Sequence, residues 1–131
     1  MSTRRFASFS DFWPYYVAMH SRRATRWIHL VGTGLGATVS LLGIATAQWV
    51  LMVGLPVLGY AAAWPSHWLI ERNSPASFGH PVWSLRGDLH MIATMLRGQD
   101  ASLTATATTW LRSHPADRSA GSLRVPDIAS A

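Results

Sequence analysis

At 131 residues the chain has room for one domain, and its 49% apolar and 13% charged residues give it about half the charge of an average globular protein. The eleven basic residues are all arginine, set against six acids for a net charge of +5, and there is no cysteine. Disulfides, thiolate metal ligands and cysteine nucleophiles are therefore excluded, and because the arginines crowd beside an apolar run, the charge reads as membrane topology and not as a nucleic-acid surface.

The start, Ser2-Thr3-Arg4-Arg5-Phe6, has paired arginines but no apolar stretch behind them, since Asp11 and Pro14 intervene. No cleaved leader is expected. Residues 9–20 read as a short helix, capped by Ser10 or Asp11, with Pro14 tolerable near its first turn. Phe12, Trp13, Tyr15, Tyr16 and Met19 make it too apolar for water, and it is too short to span a bilayer, so an interfacial position is expected. Ser21-Arg22-Arg23-Ala24 breaks the pattern, and Thr25 can cap the next helix. In one unbroken helix His20 and His29 would sit about 13 Å apart along the axis and on opposite faces. Only a bend lets them meet.

From Trp27 to Ile70, 44 residues pass without Asp, Glu, Lys or Arg. As helix they reach about 66 Å, roughly two crossings of a ~30 Å hydrocarbon slab with a turn between. The first span, 27–47, carries His29, Gly32, Thr33, Gly36, Ser40 and Gly43 on one face. Such a small-residue stripe lets a neighbouring helix approach closely, within the chain or between two copies, so a homo-oligomer through the Gly32/Gly36 face is one possible partner arrangement. The spacing does not fit a nucleotide-binding glycine loop. The second span, 49–70, has kink points at Pro56 and Pro65, and Tyr60, Trp64, His67 and Glu71 share a face. Trp27, Trp49, Trp64 and Trp68 mark the span ends as an aromatic belt would. The tip around Thr46-Ala47-Gln48-Trp49 is uncharged. Arg4, Arg5, Arg22, Arg23 and Arg26 precede the run, and Arg72, Arg86 and Arg97 follow it. Both termini are thus expected on the cytoplasmic side.

Residues 73–81 form a loop by composition. Val82, Leu85, Leu89, Ile92 and Leu96 then repeat at three and four, the stripe of an amphipathic helix lying flat on the interface or packed on the first helix. Beyond Gly98 no period remains, and 99–131 is expected to be a disordered, low-complexity tail with at most a local contact at Trp110-Leu111. The fold class is all-α: residues 1–98 form an integral membrane helical bundle, two transmembrane helices as a hairpin flanked by short interfacial helices.

The hairpin returns His67 to the membrane face that His29 left. His20, before the bend, can point to the same locus, and His80 in the loop can supply a fourth nitrogen. Glu71, one turn from His67, can orient it as a carboxylate partner, or simply anchor a helix end. A histidine at a membrane boundary is often just an amphipathic ring with a wet tip, and His90 and His114 read that way. An all-imidazole set suits Fe(II), Zn or Mn, and spacing selects none of them. The six acids form no obvious acid/base pair, and no serine sits in a nucleophile-elbow context.

Four segments carry a resemblance when taken together: Tyr16-x-x-x-His20, His29-x-x-Gly32-Thr33, His67-x-x-x-Glu71-x-Asn73-x-Pro75-Ala76 and His80-Pro81-x-Trp83-Ser84-Leu85-x-Gly87-Asp88. Over roughly 9–97 the chain resembles the bacterial-type members of a small membrane family, once a domain of unknown function, whose characterised fungal member is a 2-hydroxy fatty acid dioxygenase. The resemblance implies an Fe(II)-dependent enzyme in the cytoplasmic membrane that shortens 2-hydroxy long-chain fatty acids by one carbon using O2. It implies His20, His29 and His67 as the essential set and Glu71 as a family acid, with His80 in the bacterial-type His-Pro pair. Arg22, Arg23, Arg26 or Arg72, with Tyr16, would hold the substrate headgroup, and the acyl tail would lie among Leu30, Leu35, Val53 and Leu58. Two other classes fit the same residues: a non-enzymatic helical membrane scaffold or lipid-binding protein, and a zinc-dependent lipid hydrolase.

Overall fold

The structure, a computed structural model, describes residues 4–115, and every regular element among them is helical. Helix α1 spans Phe9–Met19 and is capped by Ser8, whose Oγ accepts from the Asp11 N–H at 3.2 Å, two residues ahead of the earlier of the two expected caps. Helix α2 spans Arg23–Ala45. A second rod follows the tip: a 3-10 turn over Trp49–Val53, helix α3 over Gly54–Ser66, and a π-turn over His67–Glu71. Pro56 falls in the first turn of α3, where its missing N–H is no loss. Pro65 does remove a rung, and the ladder widens into the π-turn just beyond it, ending at Arg72 with φ 56°.

The two rods, Arg23–Ala45 and Trp49–Glu71, are each 23 residues long and apolar enough to cross a membrane. Only 22% and 17% of their most apolar windows are buried, so most of their apolar surface faces out of the fold. The glycine stripe of the first rod faces the second. A Cβ on Gly32 would stand 2.5 Å from the Ala62 Cβ, and one on Gly36 would stand 2.8 Å from the Gly54 carbonyl oxygen. The Gly32/Gly36 face therefore packs closely against α3 within the chain.

Helix α4, Pro81–Leu96, turns its stripe the opposite way from a soluble amphipathic helix. Ser84, Gly87, Asp88, Met91, Thr94 and Met95 face inward, while Val82, Leu85, Leu89 and Leu96 are exposed. The helix does pack on the first helix, as one of the two expected placements had it, but through Met91 and Met95 and not through its apolar stripe. The stripe faces out.

The expected disorder after Gly98 is corrected for its first part: Asp100–Ser113 is helix α5. Leu103, Ala107 and Leu111, spaced by four, are its buried line against the aromatic and aliphatic face of α1. So narrow a stripe in a Thr/Ala-rich segment gives no signal alone; the helix depends on the surface it covers. Asp100 fixes its start by a two-point ion pair to the buried Arg26, at 2.8 and 3.0 Å. The rest of the expected tail, 116–131, lies outside the described residues.

The bend between α1 and α2 is held from a distance. Glu71 is fully buried, and its carboxylate accepts from Ser21 Oγ at 2.9 Å and from the Arg22 N–H at 2.8 Å. A carboxylate at a helix N-terminus meets both its orphan donors and its dipole. Thr25, expected as the cap, instead lies buried within α2, because Glu71 supplies the acceptor at the N-terminus.

Candidate metal centre

The bend and the π-turn aim three imidazoles at one point. One ring nitrogen from each of His20, His29 and His67 lies within 4.8 Å of the other two, and all three residues are buried. His20 and His67 face each other Nε2 to Nε2 at 3.1 Å. Ring centroids are 4.5 Å apart for His20–His29 and His20–His67, and 5.4 Å for His29–His67, each pair nearly perpendicular.

The other nitrogen of each ring is already committed. His20 Nδ1 lies 2.7 Å from the Tyr16 carbonyl oxygen, which can only accept. His29 Nδ1 lies 2.7 Å from Asp88 Oδ1. His67 Nδ1 lies 2.8 Å from Asn73 Oδ1, and that amide is oriented because its Nδ2 donates to the Met19 carbonyl at 3.0 Å. Each acceptor requires a proton on Nδ1, which leaves each Nε2 with its lone pair turned inward. His29 Nε2 is buried with no protein partner. Burial, and then the neighbouring His29 and His67 rings, hold His20 well below the usual range for histidine. Three neutral imidazoles with converging lone pairs repel one another unless a cation lies between them, and the set can hold one.

Asp88 organises the far side. Besides His29 it accepts from Thr33 Oγ1 at 2.7 Å and, more weakly, from the Tyr16 hydroxyl at 3.4 Å. Tyr16 is pushed well above its usual pKa by burial and then by the Asp88 charge, so its hydroxyl keeps its proton. Gly87 permits this approach: a Cβ there would sit 3.0 Å from the Tyr16 ring.

A cavity of about 330 Å³ opens from the imidazoles, its apolar walls supplied mainly by α3, with Ala76 and Leu85 opposite. Tyr16, Thr33, Tyr60, Ser77, Ser84 and Asp88 are its polar lining beside the histidines. Ser84 Oγ is buried there with no partner, while Thr94 in the same helix, Thr38 in α2 and Thr106 in α5 bond back to the carbonyl four residues earlier.

Other expected residues stand elsewhere. His80 is not a ligand of this set: its Nε2 bonds to the Arg4 carbonyl at 2.7 Å, and its ring packs among Phe6, Phe12 and Trp83. Glu71 does not orient His67; Asn73 does, and Glu71 is spent on the bend. Arg22, Arg26 and Arg72 do not line the cavity. Arg26 is fully buried, donating to Asp100, Thr104 and the His20 and Ser21 carbonyls. Arg22 meets Glu71 through its backbone, and Arg72 is exposed at the end of the π-turn. Of the proposed headgroup residues only Tyr16 is in the cavity. Leu30, Leu35, Val53 and Leu58 are not among its walls; Leu55, Pro56, Gly59 and Leu85 are. Asp88, Asn73 and Ser84 are additions. The signal for Asp88 was its position as the lone acid of α4, on the narrow polar face with Ser84 one turn before it.

Fold and site together define an all-helical protein with two helices long enough to cross a membrane and a tri-histidine site able to hold a metal. The chain belongs to the family described as 2-hydroxy-palmitic acid dioxygenase Mpo1-like, which it matches over residues 6–100. That range runs from before α1 to the first residue of α5 and includes every residue of the site. No curated protein and no solved structure matches the chain.

Proposed function

We propose that the protein is an Fe(II)-dependent dioxygenase that shortens 2-hydroxy long-chain fatty acids by one carbon, with its hairpin in the cytoplasmic membrane and the metal at the cytoplasmic interface. The observation that carries this reading is the convergence of three buried imidazoles, each Nδ1 set against an acceptor and one ring nitrogen of each within 4.8 Å of the other two. Family membership supports 2-hydroxy fatty acids as the substrate class and dioxygenation as the reaction. His20, His29 and His67 would hold the iron. Three imidazoles leave positions for other ligands, as the facial sites of non-haem iron oxygenases do. The bound iron supplies the O2 chemistry that no side chain offers.

The chain's own residues do the rest. Asp88 fixes the His29 ring and balances the charge of the centre. Ser84 Oγ–H, buried without a protein partner, is the donor the wall offers to substrate oxygens, with Ser77 also in the lining, since no arginine reaches the cavity. The apolar walls exclude water and accept the acyl chain near its head. Protein purified anaerobically in detergent tests the reading. One iron per chain and conversion of 2-hydroxyhexadecanoic acid to the acid one carbon shorter support it. Zinc with lipid hydrolysis, or no metal at all, overturns it in favour of the hydrolase or the scaffold.

A further inference from the structure

The cavity is closed at one end and open at the other. Its histidines are buried, whereas Pro56, Tyr60 and Leu85 on its walls are exposed. These lip residues carry no charge, and they continue the apolar outer surface made by Val57 and Leu58 on α3 and by Val82 and Leu89 on α4. At about 330 Å³ the enclosed space is at the small end of the ~300–1,000 Å³ of ligand pockets, too little to enclose a long chain whole. A tail must leave by the lips.

Gly59 stands on the α3 wall of this passage. A Cβ added there meets nothing within 4 Å, in contrast to Gly32 and Gly36, whose added Cβ would collide with the neighbouring helix. Gly59 is therefore not a helix-packing glycine, and in mid-helix it costs about 1 kcal/mol relative to alanine. The missing side chain leaves open space beside the cavity.

We infer that the gap between α3 and α4 is a lateral portal through which the acyl chain of the substrate passes to the lipid, and that Gly59 sets the chain length admitted. The occupant rests on the dioxygenase reading; the portal is tested by binding alone. Metal-free Gly59→Leu and Gly59→Ala proteins are compared with wild type for binding of 2-hydroxyhexadecanoic and 2-hydroxyoctanoic acids, by native mass spectrometry from detergent. Gly34→Leu is the control, since Gly34 also has nothing within 4 Å but lies off the cavity. Metal uptake on reconstitution reports that each variant is folded.

The expected result is a loss of at least about 10-fold for the long acid in Gly59→Leu, the discrimination a methylene or more of steric conflict gives. A smaller loss is expected in Gly59→Ala, less than about 2-fold for the short acid, and no change in Gly34→Leu. Equal affinity of wild type and Gly59→Leu for the long acid overturns the portal. So does an equal loss for both acids, or wild-type protein that does not bind the long acid. Wild-type protein that binds the long acid but never oxidises it refutes the dioxygenase reading, while the Gly59 comparison still decides the portal.

Discussion

His29 on α2 and Asp88 on α4, 59 residues apart in sequence, are joined Nδ1 to Oδ1 at 2.7 Å. The contact ties the α2–α3 hairpin to α4 and fixes which His29 nitrogen faces the cluster. Asp88→Asn keeps the shape but weakens the acceptor. Metal affinity should fall about 10- to 100-fold, as for other partners of metal-bound imidazoles, measured by competition with a chelator of known affinity. Unchanged affinity would mean Asp88 does not act through His29.

The three histidines of the cluster should separate sharply from the fourth. His20→Ala, His29→Ala and His67→Ala should each lose stoichiometric metal and turnover. His80→Gln, altered among Phe6, Phe12 and Trp83, should keep one metal per chain. Elemental analysis of all four decides it, and full metal in His67→Ala would remove the centre as described.

Glu71 should behave as a brace. Glu71→Ala strips the acceptor from Ser21 and from the Arg22 N–H and should cost about 1–3 kcal/mol of stability, the penalty for buried donors left unpaired. Glu71→Gln retains an acceptor and should keep most of its activity. Lost turnover in Glu71→Gln, with metal content and melting point unchanged, would restore an acid/base role.

Acid should destabilise the metal-free protein. His20, lowered by burial and its histidine neighbours, stays neutral in the fold well below the 6.5 at which it takes a proton when unfolded. Below pH 6.5 the unfolded chain binds the extra proton, so this stability is present above 6.5 and is lost as pH falls towards the folded pKa. The slope from one such group is at most ~1.4 kcal/mol per pH unit. Melting midpoints of metal-free protein should fall between about pH 7 and pH 5, and His20→Gln should flatten that decline.

Gly36→Leu should break the hairpin. Its Cβ would meet the Gly54 carbonyl and the Leu55 backbone at 2.8 Å, and backbone cannot rotate aside. Overpacking of this kind costs about 1–3 kcal/mol or more. A lowered melting temperature with metal binding lost in parallel is the expected outcome. An unchanged melting temperature would show that the close approach of the two rods is not needed.

Composition and order along the chain were enough to specify the rods. An uncharged 44-residue run flanked by arginines encodes two apolar helices each long enough to span a membrane, and the chain reversal brings His29 and His67 to one end. The break at Ser21-Arg22 was legible too, and with it the approach of His20. These are local properties, because helical period and hydropathy depend on residues a few positions apart. The partners of the buried polar groups were not legible. Asp88 finds His29, Asn73 finds Met19 and His67, Glu71 finds Ser21 and Arg22, and Arg26 finds Asp100 across 74 positions. A buried donor must be satisfied by whichever acceptor the packed helices bring within about 3 Å, and no sequence spacing encodes that meeting. The same holds for α5, whose helix forms because α1 offers a surface to cover, and for α4, whose apolar stripe faces outward because its polar face completes the metal centre.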